Sequence, residues 1–98
     1  MTIRILPSAI EDLEQGRNFY EEQGEGLGHY FQNSLFSDID SLALYGGIHP
    51  IHWGYHRLLS KRFPYAVYYR VKGDAVEVWR VLDCRQHPRK IKQALKLT

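Results

Sequence analysis

The sequence predicts an α+β domain in which a small, mainly antiparallel sheet carries a two-helix hairpin on one face. Apolar residues recur at helical spacing in the first half, alternate with polar ones in the second, and glycines mark the changes of pattern. The predicted order is β-α-α-β-β-β, with a short helix possible at the C-terminus. Because 98 residues suffice for one modest core, we treat residues 1–98 as a single domain.

The first strand and helix follow from residues 2–23. Residues 2–6, TIRIL, alternate in polarity, and Pro7 ends the strand. Ser8 and Glu11 have the spacing of a capping box, which predicts that a helix begins there. The helix continues to about Gln23 through residues at helical spacing, namely Ile10, Leu13, Arg17 and Tyr20.

A second helix is predicted from Leu27 to Tyr45, because apolar residues form one stripe: Leu27, Phe31, Leu35, Ile39 and Leu42. Only a few glycine-rich residues separate the two helices, so they must fold back as an antiparallel hairpin. Gly46 and Gly47 end the second helix, and a loop leads to the strands.

Three strands are predicted at residues 56–61, 65–72 and 75–84, with a tight turn at Gly73-Asp74. In the middle strand Tyr65, Val67, Tyr69 and Val71 alternate with Ala66, Tyr68 and Arg70. The first set is expected to meet the helices and the second to point outward. Cys84 is expected to be a small buried residue, and the spacing of Ile91 and Leu95 suggests the C-terminal helix.

Charge is divided unequally along the chain, although the net charge is only +2. Residues 1–50 hold two basic and eight acidic side chains, whereas residues 51–98 hold eleven basic and three acidic ones. The basic half should attract a polyanion or an acidic partner, and the alternative is charge solvated on a polar face.

Several classes of protein and site are excluded. No apolar run is long enough to span a membrane, and the acidic N-terminal segment is unlike a signal peptide, so a cytoplasmic protein is expected. A single cysteine excludes an internal disulfide and a cysteine-based zinc cage. The series His49, His52 and His56 lies in a loop with Pro50 and Gly54, not on a helix face. No metal and no cofactor are predicted.

Residues 61–71, KRFPYAVYYRV, carry a family resemblance. Further segments of the strand region contribute to it, namely GYHRLL at 54–59, Gly73-Asp74, VEVWRV at 76–81 and Cys84-Arg85. The helical hairpin contributes Ala9, Asp12-Leu13, Tyr20, Leu27-Gly28 and Phe31. This pattern resembles the ParE/RelE superfamily of bacterial toxins over nearly the whole chain. The resemblance implies the toxin of a type II toxin–antitoxin system, of the plasmid-stabilisation type, with a cognate antitoxin that wraps and neutralises it.

The superfamily divides by mechanism. RelE-like members cleave messenger RNA on the ribosome, whereas ParE-like members are described as poisoning DNA gyrase. In the ribonuclease branch the segment corresponding to residues 66–69 begins with an arginine, and here that position is Ala66. An alanine cannot stabilise a phosphate, so the ParE-like interpretation is favoured.

The alternatives have different site residues. If the chain is an enzyme, it is a messenger RNA endoribonuclease with His87 as acid or base and cations stabilising the phosphate, namely Arg57, Arg80 and Arg85. A third reading is an inactive relative that only binds the antitoxin. On the ParE-like reading the target is contacted by Arg57, Arg70, Arg85 and Arg89.

Two further expectations concern side-chain contacts. The residues Phe19, Phe36 and Leu44 are apolar positions left over on the helical hairpin, so they are candidates for antitoxin binding. Arg80 is expected to be half buried and paired with Asp12 or Asp38. Arg57, Arg70, Arg80 and Arg85 form one cationic surface only if the register places them on the same face.

Overall fold

We describe residues 1–97 of a computed structural model, in which five strands form one sheet. The strands are β1 (Thr2–Ile5), β2 (Ile51–His52), β3 (Tyr55–Leu59), β4 (Tyr65–Lys72) and β5 (Ala75–Asp83). Their order across the sheet is β1-β5-β4-β3-β2. Only β1 and β5 are parallel, and the other pairs are antiparallel. The predicted α+β class and mainly antiparallel sheet are confirmed.

The helices are α1 (Pro7–Gln23), α2 (Leu27–Asp40), α3 (Leu42–Tyr45) and α4 (Pro88–Lys96). The predicted hairpin of α1 and α2 and the short C-terminal helix α4 are both present. Over residues 1–97, no helix has the length and apolar character that crossing a membrane requires.

The main core lies between the sheet and the α1–α2 hairpin. Its buried residues come from both helices and from one face of β4 and β5, and include Leu13, Phe31, Leu35, Val67 and Tyr69. The predicted stripe of the second helix is buried from Phe31 to Leu42, but Leu27 is 36% exposed. Burial of this apolar face is what holds the hairpin on the sheet.

A second core lies on the opposite face of the sheet, beneath α4. Ala66 and Tyr68 of β4 are 0% and 1% exposed and pack with Leu82, Ile91 and Leu95. The expectation that this face of β4 points outward is therefore wrong at these two positions. The amphipathic helix α4 buries its apolar side there, so β4 is covered on both faces.

The N-terminus of α1 also differs from the prediction. Its N-cap is Leu6, with no side-chain cap, and Pro7 occupies the first turn. Ser8 and Glu11 do not form a capping box, because the Ser8 hydroxyl donates instead to the carbonyl of Trp79 on β5 at 2.9 Å. The side chain that was expected to cap the helix thus joins the helix to the sheet.

Other boundaries differ for local reasons. The helix predicted to run from Leu27 to Tyr45 is divided at Ser41, whose hydroxyl donates to the carbonyl of Asp38 at 2.6 Å. The loop after it contains the two-residue strand β2, which pairs with β3. As a result β3 begins one residue before the predicted start, at Tyr55, and ends at Leu59. Cys84 follows β5 and is exposed, not buried as expected.

A bulge in β5 changes which residues share a face. Tyr68 is opposite Arg80, whereas Tyr69 is opposite Val78, so Trp79 is an extra residue. Regular alternation along β5 would put Arg80 on the same face as Val76 and Val78, but Val78 belongs to the main core and Arg80 lies across from Tyr68 of the second core. The bulge brings Arg80 to the junction of the two cores.

Close approach of the two hairpin helices depends on Gly16, because a Cβ there would lie 2.5 Å from Phe31 Cζ. We expect Gly16→Ala to lower the free energy of unfolding by about 1–3 kcal/mol, although the same change in an exposed helix would stabilise it. Urea denaturation measures this. The neighbouring exposed change Gln15→Ala should stay within about 0.5 kcal/mol of the parent, and equal stability of both variants would contradict the packing.

Candidate functional site

The centre of the candidate site is an ion pair between α1 and β5. Asp12 is 8% exposed, and its two carboxylate oxygens accept from Arg80 Nε at 2.7 Å and from Arg80 Nη2 at 2.9 Å. The backbone N–H of Val81 donates to the same carboxylate at 2.9 Å. Arg80 Nη1 donates to the carbonyl of Ala94 in α4 at 3.2 Å. Of the two carboxylates expected as partners of Arg80, Asp12 is the one that pairs with it, and these contacts join α1, β5 and α4.

This ion pair lies where β1 ends. The strand β1 pairs with residues 75–78 of β5, and beyond that point side chains of α1 replace it. The Ser8 hydroxyl contacts the carbonyl of Trp79, and Asp12 accepts from the N–H of Val81. A buried carboxylate that accepts three hydrogen bonds is well satisfied, and Asp12 holds the pKa of Arg80 above its usual value.

A cleft of about 420 Å³ opens beside this pair, between α1, the end of β5 and α4. Asp12 and Arg80 line it together with Phe19, Tyr65 and Gln86, among others. Asp12 and Arg80 are bonded to each other, and Asp83, which also lines the cleft, is paired with Arg85, so these charges are largely compensated. The cleft therefore presents an aromatic surface with little net charge.

Two of the predicted target-binding arginines lie on the α4 side of the sheet. Arg57 of β3 is opposite Tyr68, and its positive charge partly offsets the rise in the pKa of Tyr68 that burial causes. The Arg70 guanidinium lies over the rings of Tyr55 and Trp79, at 4.1 and 5.3 Å from their centroids. Both side chains are half buried, since each is held against the sheet.

Arg85 and Arg89 are exposed. The Arg85 guanidinium is paired with Asp83 at 2.7 Å and holds the pKa of that carboxyl below its usual range. It also approaches the hydroxyl of Tyr20 at 3.5 Å, which places it toward the main core. Arg89 lies in the first turn of α4.

His87 is the N-cap of α4. Its Nδ1 accepts a hydrogen bond from the backbone N–H of Arg89 at 3.0 Å, and its ring is exposed. Two of the cations proposed to assist it are engaged elsewhere: Arg80 with Asp12 and Arg85 with Asp83. The register gathers Arg57, Arg70 and Arg80 on the α4 side, while Arg85 turns toward the other face.

The three candidates for antitoxin binding differ in exposure. Phe19 is 45% exposed and Leu44 83%, whereas Phe36 packs against the main core. Leu44 belongs to a larger exposed set that sequence reasoning missed, which we call the α3 patch: Met1, Leu44, Tyr45, Ile48 and Ile51. Each of its members is more than half exposed. The sequence contained a signal for this patch, because the apolar residues beside the two glycines that end the second helix belong to no helical or strand stripe.

The loop histidines contact Tyr69 and the backbone. His49 Nδ1 is hydrogen-bonded to the buried hydroxyl of Tyr69, which also accepts from the N–H of Gly47 at 3.0 Å. His56 stacks on the Tyr69 ring and bonds the carbonyl of His49 at 2.7 Å. Burial lowers the pKa of His49 and raises that of Tyr69. These contacts fix the loop between α3 and β2.

Comparisons with known proteins identify the family to which this small α+β chain belongs. The model of the family "ParE toxin of type II toxin-antitoxin system, parDE" matches residues 3–88. The chain therefore belongs to the ParE toxin family and is a type II toxin. Among solved structures it is similar to a chain of the chromosomal ParDE TA system from P. aeruginosa, with 22% identity and a TM-score of 0.72.

That likeness covers 83% of this chain and 92% of the other, so it extends over nearly the whole fold. No curated protein sequence matches the chain. The family identification therefore comes from the family match, and the structural likeness supports the fold.

We expect Asp12→Ala to lower the free energy of unfolding by about 3 kcal/mol, because it leaves Arg80 and the N–H of Val81 without their acceptor. Thermal and urea denaturation measure the loss. Asp83→Ala is the matched control, since it breaks an exposed arginine pair and should cost less than about 1 kcal/mol. Equal losses in the two variants would show that the Asp12 pair has no special structural role.

Proposed function

We propose that this toxin inhibits growth by ParE-like action on DNA gyrase in the cytoplasm and is neutralised by a cognate antitoxin. The observation that carries the choice of gyrase is the burial of Ala66. This residue occupies the strand position where ribonuclease relatives of the superfamily carry an arginine, and it is 0% exposed beneath α4. The position supplies no cation, and its Cβ faces Leu82 and the other apolar residues of the second core.

The side chains that could supply the acid, the base and the cations for RNA cleavage already make other contacts. That chemistry needs a general base, a general acid and cations free to follow the charge that develops on the phosphate. Here Arg80 is bonded to Asp12 and Ala94, and Arg85 is bonded to Asp83. The Nδ1 of His87 is occupied by a backbone N–H at the start of α4. These contacts favour a binding role over hydrolysis.

We propose that the target is contacted by the basic end of the molecule, through Arg57, Arg70, Arg85 and Arg89. Arg85 and Arg89 are exposed, Arg85 within the turn between β5 and α4 and Arg89 in the first turn of α4. Arg57 and Arg70 are half buried on the α4 side of the sheet. The exposed pair is therefore expected to contribute the charge that a partner meets first.

We propose that the antitoxin binds along the helical hairpin. Phe19 lies near the C-terminal end of α1, and Leu44 lies in α3, whose neighbour Ala43 accepts from the N-terminal amine of Met1 at 3.0 Å. The 14-residue helix α2, about 21 Å long, connects the turn that follows α1 to α3, so Phe19 and Leu44 lie toward opposite ends of the hairpin. A bound antitoxin segment must be long, and the α3 patch is the larger apolar anchor for it.

The target is tested by two assays on the same purified toxin. We expect the toxin to inhibit DNA supercoiling by gyrase and to leave message intact in a cell-free translation reaction that is supplied with ready-made messenger RNA. His87→Ala should retain full inhibition of gyrase, because on this proposal the histidine serves only to cap α4. Cleaved message that depends on His87 would establish the ribonuclease instead, and inactivity in both assays would identify an inactive relative.

The contact surface is tested by charge reversal. We expect the double change Arg85→Glu and Arg89→Glu to weaken gyrase inhibition by about tenfold or more, because two interfacial charges are reversed. The control is Lys61→Glu with Arg62→Glu, an equal change of charge at two other exposed positions. Equal effects of the two double variants would show that net charge, not this surface, matters.

The antitoxin site is tested by polar substitution in the α3 patch. We expect Leu44→Ser with Ile48→Ser to weaken antitoxin binding by about tenfold or more while thermal stability is kept, since these side chains are 83% and 71% exposed. The control is Leu59→Ser, which changes an aliphatic side chain that is 54% exposed outside the patch. Unchanged affinity of the patch variant in a titration would refute this docking site.

A further inference from the structure

Trp53 has a backbone conformation that its residue type disfavours. It lies with Gly54 in the two-residue turn between β2 and β3, and the two residues have φ of 53° and 85°. A turn with two positive φ values suits asparagine, aspartate or glycine at the first position. Among residues 1–97, Trp53 is the one non-glycine residue with positive φ. A large aromatic side chain is therefore presented here at a cost in stability.

The indole of Trp53 is 43% exposed and forms one wall of a cleft of about 380 Å³. The other walls are Tyr55, Arg70, Leu95 and Lys96. Arg70 stabilises the arrangement, because its Nε donates to the carbonyl of Gly54 at 3.3 Å and its guanidinium lies over Tyr55. The turn that carries Trp53 is thus held beside the C-terminal end of α4.

A row of cations continues from this cleft along α4. A second surface depression is lined by Arg89, Lys92, Gln93 and Lys96, so Lys96 belongs to both. The helix α4 contains no acidic residue, and within the described chain no carboxylate lines either depression. From Arg89 to Lys96 the row covers seven steps of helical rise, or about 10 Å. We call this surface, from Trp53 to Arg89, the Trp53–α4 surface.

We propose that the Trp53–α4 surface binds a single strand of nucleic acid, with a base stacked on Trp53 and the phosphates following Lys96, Lys92 and Arg89. A row of cations without carboxylates is complementary to a phosphate backbone, and an exposed aromatic ring provides a stacking platform for an unpaired base. A duplex offers no free base face to the indole. An acidic peptide would need the cations but not the indole. This binding goes beyond the toxin function proposed above and does not depend on gyrase being the target.

The test is the fluorescence anisotropy of a labelled oligothymidylate of about 20 nucleotides, titrated with the full chain at several salt concentrations. We expect Trp53→Asn to weaken binding by about tenfold. Asparagine suits the turn, so the thermal midpoint should be unchanged or higher. The double change Lys92→Gln with Lys96→Gln should reduce the slope of log affinity against log salt by about 1.4. Lys61→Gln, an exposed lysine elsewhere, should change neither quantity appreciably.

Three results would overturn the proposal. One is no binding by the parent chain at low salt. Another is equal affinity of the parent and Trp53→Asn, which would leave a charge effect without stacking. The third is affinity for polyglutamate that matches affinity for the oligothymidylate, which would make the surface a site for acidic protein segments.

Discussion

The ion pair between Asp12 and Arg80 is the interaction on which the rest of this structure depends. It fills the place where β1 ends and β5 would otherwise present an unpaired edge, and it extends to α4 through the carbonyl of Ala94. The same carboxylate accepts a hydrogen bond from the N–H of Val81, so one buried group both pairs with a charged side chain and satisfies a backbone donor. Both cores therefore meet at Arg80.

This constraint also determines which cations remain for other partners. Because Arg80 is bonded to Asp12 and lies between α1 and α4, its charge is committed to the fold, unlike that of Arg89 on the surface. The helix α4 closes over Ala66 and Tyr68, and its outer side then carries the basic residues. The fold thus uses Arg80 internally and leaves the basic residues of α4 at the surface.

Periodicity and turn residues predicted most of the fold, because α1, α2 and the hairpin of β4 and β5 each bury one regular stripe. The pairing of Arg80 with Asp12 was also predictable, since a half-buried arginine needs a carboxylate. The bulge at Trp79 was not, because it is visible only in the pairing of β5 with β4, and the cover over Tyr68 was not, because it depends on the tertiary packing of α4. The positive φ of Trp53 was not predictable either, since local preference favours a different residue there.

The most direct test of this account is native-state hydrogen exchange at the amide of Val81, followed by NMR or mass spectrometry. This N–H lies on the edge of β5 that pairs with β1, but beyond the last paired residue, and its acceptor is the Asp12 carboxylate. The account predicts that it exchanges as slowly as the amides between β4 and β5, and that Asp12→Ala removes its protection selectively. Rapid exchange of Val81 in the parent protein would contradict the central role given to the ion pair.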